Sequence, residues 1–166
     1  MNKLINIAKS KKAIEQLTFF KENLYENIDV RFTNVHLRRL NEILDIELFS
    51  KNDLYINSKT LWELMQPLGK SGSHNYHELA PEDIYNAIRL TGDPECVIKV
   101  KLNRYAIIPV YLSSYNLPLM VVIEIGAGLV NDKNANINKI VTIYPKDNLD
   151  KLINKTNKRD ILFIKK

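Results

Sequence analysis

Two apolar runs in the second half of the chain decide the fold: LMVVIEI at Leu119–Ile125 and INKIVTIY at Ile137–Tyr144. Both are rich in β-branched residues, and turn-forming glycine and asparagine residues separate them, so they are predicted to be neighbouring strands. Similar runs occur at Cys96–Leu102, Tyr105–Leu112 and Ile161–Ile164. Because the connections between most of these runs are short, the strands are expected to pair in the antiparallel direction.

The residues before this region repeat apolar side chains at helical spacing instead. The pattern predicts four helices, at about Ser10–Tyr25, from a cap at Thr33 to Leu44, at Lys59–Met65 and from Pro81 to Gly92. It also predicts a short strand at Asp53–Asn57 and a short helix at Asn148–Thr156. The predicted fold class is therefore α+β, with N-terminal helices packed on one face of a four- to five-stranded antiparallel sheet. We expect a single domain, 1–166, with an N-terminal helical part at 1–52 and a core at 53–166.

The composition is that of an ordinary globular chain: 166 residues, 45% apolar and 26% charged, with a formal net charge of +5. This mild basic excess is compatible with an anionic partner such as RNA, but it does not require one. The single cysteine, Cys96, excludes an internal disulfide and argues against a multi-cysteine zinc site. No segment resembles a signal peptide or reaches the ~20 apolar residues of a membrane span, so we expect a cytoplasmic protein without membrane contact.

Strand alternation sorts the side chains of the two central runs into two faces. One face is apolar and should receive the helices; it contains Val121, Ile123, Ile125, Val141 and Ile143. The other face contains Glu124, Ile140, Thr142 and Tyr144, and Lys146 follows at the rim. A glutamate in an apolar strand is costly unless it is solvated or paired. Glu124 is therefore either a solvated surface residue or a carboxylate in an open cleft.

Two of the three histidines, His74 and His77, lie three residues apart just before the helix that begins at Pro81. They could ligate a metal, but no third and fourth ligand of the usual kind is evident. His77 could instead bond a backbone group near the helix start. The third interpretation is acid–base chemistry, for which the near-neutral pKa of imidazole is suited.

The order of these segments resembles the phage-associated nuclease-like domains grouped with barnase, EndoU, colicin-type tRNases and RelE toxins. The matching blocks run from about Leu54 to Lys166 and are GSHNYHELAPEDIYNAI (72–88), Asp93-Pro94, Arg104-Tyr105, PLMVVIEIGAGL (118–129), NANINKIVTIYPKDN (134–148) and ILFIKK (161–166). Such domains occur in phage MuF-type proteins and in polymorphic toxins. The resemblance implies a site at His77, Arg104, Thr142, Tyr144 and Lys146, to which the face argument adds Glu124.

The chemistry that this resemblance implies is metal-independent RNA cleavage, without a cofactor, by attack of the ribose 2′-OH to leave a 2′,3′-cyclic phosphate. His77 and Glu124 would be the acid–base pair, with His74 as a second candidate. Arg104 and Lys146 would stabilise the developing charge. The implied partners are RNA, with tRNA as one candidate, and an immunity or host protein. The protein would act in a bacterial host or in a cell into which it is delivered. The alternative is a catalytically inactive binding protein or inhibitor on the same scaffold.

Overall fold

A computed structural model of the protein describes residues 4–7, 10–24, 26–68 and 75–166. The strands of this described part are Ile5–Ile7 (β1), Asp29–Phe32 (β2), Leu54–Asn57 (β3), Pro94–Lys101 (β4), Arg104–Pro109 (β5), Leu119–Leu129 (β6), Asp132–Pro145 (β7) and Ile161–Ile164 (β8). The α-helices of this part are Ser10–Glu22 (α1), Arg39–Leu44 (α2), Ser58–Leu64 (α3), Pro81–Arg89 (α4) and Leu149–Lys155 (α5). Among these residues no helix has both the length and the apolar character needed to cross a membrane.

The strands form one mixed sheet in the order β1-β2-β3-β7-β6-β5-β4-β8. The β1–β2 and β3–β7 pairs are parallel, and the other neighbours are antiparallel. The predicted fold class, a four- to five-stranded antiparallel sheet, is therefore wrong: the sheet has eight strands and mixed direction. The antiparallel meander from β4 to β7 was predicted, but residues 1–52 supply two further strands as well as helices.

These two strands escaped prediction because each is short and has only two apolar residues, which a polar residue separates. β1 is Ile5-Asn6-Ile7 and β2 is Asp29-Val30-Arg31-Phe32, so neither contains the apolar run that marks the four-residue strands β3 and β8. Both depend on their neighbours, since β2 pairs with β1 on one side and with β3 on the other. The predicted cap at Thr33 is also wrong, because α2 begins at Arg39 with Arg38 as its N-cap residue.

Helices α1, α3 and α4 cover one face of the sheet and enclose the larger apolar core. From the central strands this core takes Val121, Ile123, Ile140 and Ile143, all buried. The predicted placement of Val121, Ile123 and Ile143 is confirmed. Ile125, also assigned to this face, packs against the core from a partly buried position.

A β-bulge reverses the prediction for two neighbouring residues of β7. Val122 pairs with Thr142, but Ile123 pairs with Ile140, so Val141 is the extra residue. Val141 consequently packs against the smaller core on the opposite face, while Ile140 joins the helix-covered face. The placement predicted for Val141 was therefore wrong, because strict alternation fails at a bulge.

The opposite face has a smaller apolar core, which α5 covers. Its buried members are Cys96, Ile98, Ala106, Ile108, Met120 and Val122. From α5, Leu149, Leu152 and Ile153 pack against them. Burial in this cluster raises the pKa of the Cys96 thiol to about 11, so it stays protonated at neutral pH and is suited to packing and not to nucleophilic attack.

Candidate functional site

A segment before α4, Asn75–His77, lies beside the edge of β7. β3 pairs with β7 at one position only, Tyr55 with Lys139. Beyond that position Thr142 donates a hydrogen bond from Oγ1 to Oδ1 of Asn75, at 3.2 Å. Asn75 in turn donates from Nδ2 to Oε2 of Glu63 on α3, at 3.3 Å. The segment is thus held between a helix and the central strand.

Three further contacts hold the residues on either side of His77 in place. The ring of Tyr76 packs edge-on against Trp62 of α3, with centroids 5.9 Å apart. The two residues after His77, Glu78 and Leu79, donate their backbone N–H groups to the carbonyl oxygens of Gln66 and Leu64, each at 2.9 Å. Glu78 has a positive φ of 53°, which is unusual for a residue other than glycine. The chain therefore accepts local backbone strain directly after His77.

His77, Tyr144 and Lys146 come together and form what we call the His77 cluster. The rings of His77 and Tyr144 have centroids 5.9 Å apart and an interplanar angle of 35°. Nζ of Lys146 lies 4.6 Å from the centroid of the Tyr144 ring, within cation–π range. An imidazole, a phenol and an ammonium group thus occupy one place on the surface.

Burial sets the protonation of the two rings in this cluster. Desolvation of the half-buried imidazole lowers the pKa of His77 below its ordinary 6.5. Desolvation also raises the pKa of the Tyr144 phenol above 10.0. At neutral pH His77 is therefore a neutral proton acceptor and Tyr144 a neutral proton donor.

A pocket of about 130 Å³, which we call the lysine pocket, adjoins the His77 cluster. It is lined by Lys146, Asp147, Asn148, Lys151, Leu152 and Lys155. Lys151 and Lys155 are four residues apart on α5, so they lie on one side of that helix. The side chain of Asn148 caps the helix by accepting from the N–H groups of Asp150 and Lys151. With three lysines and one carboxylate on its walls, the pocket attracts anions.

Comparisons of the chain with family models, with curated proteins and with solved structures found no match. The resemblance to nuclease-like domains therefore rests on the sequence blocks alone. The chemistry of the site follows from its own geometry.

Arg104 and Glu124, two further residues of the predicted site, form a separate pair. They are cross-strand partners on β5 and β6, and Nε of Arg104 lies 3.2 Å from Oε1 of Glu124. Glu124 is four residues from Met120, the partner of Tyr144, which is about 14 Å along the strand. The structure thus brings His77, Tyr144 and Lys146 together and places Arg104 and Glu124 elsewhere on the same face.

Thr142, the last residue of the predicted site, lies on the predicted face and contacts Asn75. His74, the second candidate for acid–base chemistry, lies outside the described residues. Within the described ranges no group of three or more histidine, cysteine or acidic side chains could hold a metal ion. Sequence analysis did not single out Asn75, Lys151 or Lys155. The four-residue spacing of Lys151 and Lys155 in a predicted helix could have indicated that they lie side by side. No feature of the sequence indicated that Asn75 contacts a distant strand.

Proposed function

We propose that this protein is a metal-independent endoribonuclease whose active centre is the His77 cluster. The observation that supports it best is a pair of contacts made by the Tyr144 ring. The half-buried imidazole of His77 packs against this ring, and the ammonium group of Lys146 lies over it. RNA cleavage through the 2′-OH needs a base, an acid and a positive charge at the phosphate. His77, Tyr144 and Lys146 provide these three groups, and the lysine pocket beside them extends the positive field.

In the proposed reaction neutral His77 removes the proton of the ribose 2′-OH. The 2′ oxygen then forms a bond to phosphorus while the bond from phosphorus to the 5′ oxygen breaks. Tyr144 donates its proton to the leaving 5′ oxygen, and Lys146 stabilises the negative charge of the phosphorane. The products are a 2′,3′-cyclic phosphate and a free 5′-OH. Passage of the proton from His77 to the Tyr144 phenolate through solvent restores the starting state.

The test is cleavage of a short labelled RNA by the purified protein in EDTA, with the ends of the products analysed by mass spectrometry. We expect cleavage with cyclic phosphate ends. DNA of the same sequence should remain intact, because it lacks the attacking hydroxyl. Cleavage that EDTA abolishes, or cleavage of both nucleic acids, would contradict the proposal.

A second candidate function is RNA binding without cleavage. It is favoured by the separation of the Arg104–Glu124 pair from His77, since that leaves fewer charged groups around the imidazole. The same assay distinguishes the two functions. A binding protein would retain the RNA in a filter or mobility assay and leave its length unchanged.

The pH dependence of cleavage should follow the protonation of His77. Because burial lowers the pKa of this ring below 6.5, the base stays neutral until the solution is more acidic than that value. We therefore expect kcat/KM to be level across neutral pH and to fall on the acid side, with an inflection below pH 6.5. Tyr144 keeps its proton over this range, since burial raises its pKa above 10.0.

Acid unfolding must be separated from this effect. In the unfolded chain His77 regains its ordinary pKa, so the unfolded state binds the proton more readily and stability also declines below pH 6.5. Circular dichroism at each pH identifies the range in which the chain remains folded. An inflection above pH 6.5 within that range would rule out His77 as a neutral base in a desolvated site.

A further inference from the structure

One row of side chains crosses six neighbouring strands on the face that carries Tyr144. In the register of the sheet, Arg31 pairs with Tyr55, Tyr55 with Lys139, Lys139 with Glu124, Glu124 with Arg104, and Arg104 with Lys101. We call these six residues the cross-strand row. It spans β2, β3, β7, β6, β5 and β4, or about 24 Å at the usual strand spacing.

The flanking residues show which face the row occupies. Val30 and Phe32 flank Arg31, Leu54 and Ile56 flank Tyr55, and all four are buried in the helix-covered core. Because successive side chains of a strand alternate, the row lies on the opposite face, beyond the small core that α5 covers. Thr142 and Tyr144 share that face, so β7 connects the row to the His77 cluster.

The row is accessible and positively charged. Its cations are Arg31, Lys139, Arg104 and Lys101, and the two arginine side chains are 35% and 30% exposed. Asp53 pairs with Arg31, and Glu124 pairs with Arg104. In the part of the chain that the structure describes, no carboxylate lies within 4.0 Å of either lysine Nζ. Four cations against two carboxylates leave an excess of positive charge for an anionic ligand.

An aromatic ring stands among these cations. The guanidinium carbon of Arg31 lies 6.0 Å from the centroid of the Tyr55 ring, and the Nε of Arg31 donates to Oδ2 of Asp53 at 2.8 Å. A tyrosine on a sheet face next to arginine and lysine is the combination on which unpaired bases stack while their phosphates contact the cations. Duplex RNA keeps its bases paired and its major groove narrow, so it cannot use such a ring.

We propose that the cross-strand row binds single-stranded RNA and leads it along β7 to the His77 cluster. This inference rests on the proposed endoribonuclease function and specifies its substrate as unpaired RNA. The row is long enough for about four nucleotides beyond the cleavage point. Cleavage itself would require only the nucleotides at His77, so binding and chemistry can be tested separately.

The experiment uses the full chain with His77→Ala to prevent cleavage, and a fluorescent single-stranded RNA of ten nucleotides. Lys101→Glu/Lys139→Glu should weaken binding at least tenfold and lower the slope of log K against log salt by about 1.4, the value for two phosphate contacts on a single strand. Tyr55→Ala should weaken binding by about 5- to 150-fold. Lys11→Glu/Lys12→Glu changes the net charge equally at exposed positions of α1, on the helix-covered side, and should leave most of the binding intact.

Several outcomes would overturn the row as a binding site. One is equal affinity for the single strand and for the same sequence as a duplex. Another is equal weakening by the row variants and by the α1 control, which would indicate a general charge effect.

The row variants, in the chain that retains His77, should cleave a dinucleotide at the normal rate and the ten-nucleotide RNA more slowly. Normal cleavage of both substrates would disprove the row and leave the proposed enzyme intact, whereas binding without any cleavage would support the row and disprove the enzyme.

Discussion

His77→Ala is expected to lower the rate of RNA cleavage by about 10²- to 10⁴-fold, the contribution typical of a positioned acid–base group. Within the His77 cluster the imidazole is the group suited to accept a proton at neutral pH, because burial lowers the pKa of His77 and raises the pKa of the Tyr144 phenol. Alanine removes the acceptor and leaves the lysine pocket unchanged. The loss should therefore appear in kcat, with little change in RNA affinity.

His36→Ala is the matched control for this experiment. His36 is exposed in the chain before α2, so its removal should leave cleavage within a factor of about two and stability within about 0.5 kcal/mol. Tyr144→Phe adds a second comparison, since it removes the proposed acid and keeps the aromatic ring beside His77. Cleavage at the wild-type rate by His77→Ala would show that the imidazole takes no part in the reaction.

Asp83→Ala should destabilise the protein by about 3 kcal/mol, the second large effect that we expect. Asp83 is 2% exposed and joins α4 to the chain between β5 and β6. Its carboxylate accepts from the hydroxyl of Tyr111 at 2.7 Å, and from the hydroxyl and backbone N–H of Ser114 at 2.7 and 3.0 Å. Alanine would remove a buried carboxylate and leave these three donors without an acceptor whose charge strengthens each hydrogen bond.

Thermal unfolding followed by circular dichroism measures this effect. For a chain of 166 residues, a loss of that size lowers Tm by about 6 to 12 °C. Glu82→Ala is the control, because Glu82 is exposed in the same first turn of α4 and has the same relation to the helix dipole. Tyr111→Phe removes one donor and should cost about 1 kcal/mol. Equal Tm values for Asp83→Ala and Glu82→Ala would mean that the hydrogen bonds to Asp83 contribute nothing net to stability.

Local pattern was sufficient for the central sheet and for several helix ends. Proline at position 81 marked the start of α4, and the terminal strand Ile161–Ile164 was found at its observed bounds. The face shared by Glu124, Thr142 and Tyr144 was also predicted correctly. Met120 and Val122, the partners of Tyr144 and Thr142, belong to the α5-covered side, and Glu124 follows Val122 by two residues on β6. The bulge at Val141 was not, because an extra residue in a strand leaves no mark in an apolar run.

The candidate site was only partly predictable for a similar reason. Tyr144 and Lys146 are two residues apart, and their proximity follows from the sequence. The approach of His77 to Tyr144 depends on 66 intervening residues and on the attachment of the segment before α4 to α3. Arg104 and Glu124 were also predicted to join His77, Tyr144 and Lys146. They do not, because the strand register pairs those two residues with each other farther along the sheet.

By itself, the sequence determined the meander of strands, the helices around it and the separation of apolar from polar side chains, because these depend on spacing within a few neighbouring residues. Tertiary structure alone decided that β1 and β2 extend the sheet, that His77 meets Tyr144 and that six strands align one charged row. Each of these depends on register between segments distant in the chain. Register is set by the packing of the whole sheet, and a local pattern cannot contain it.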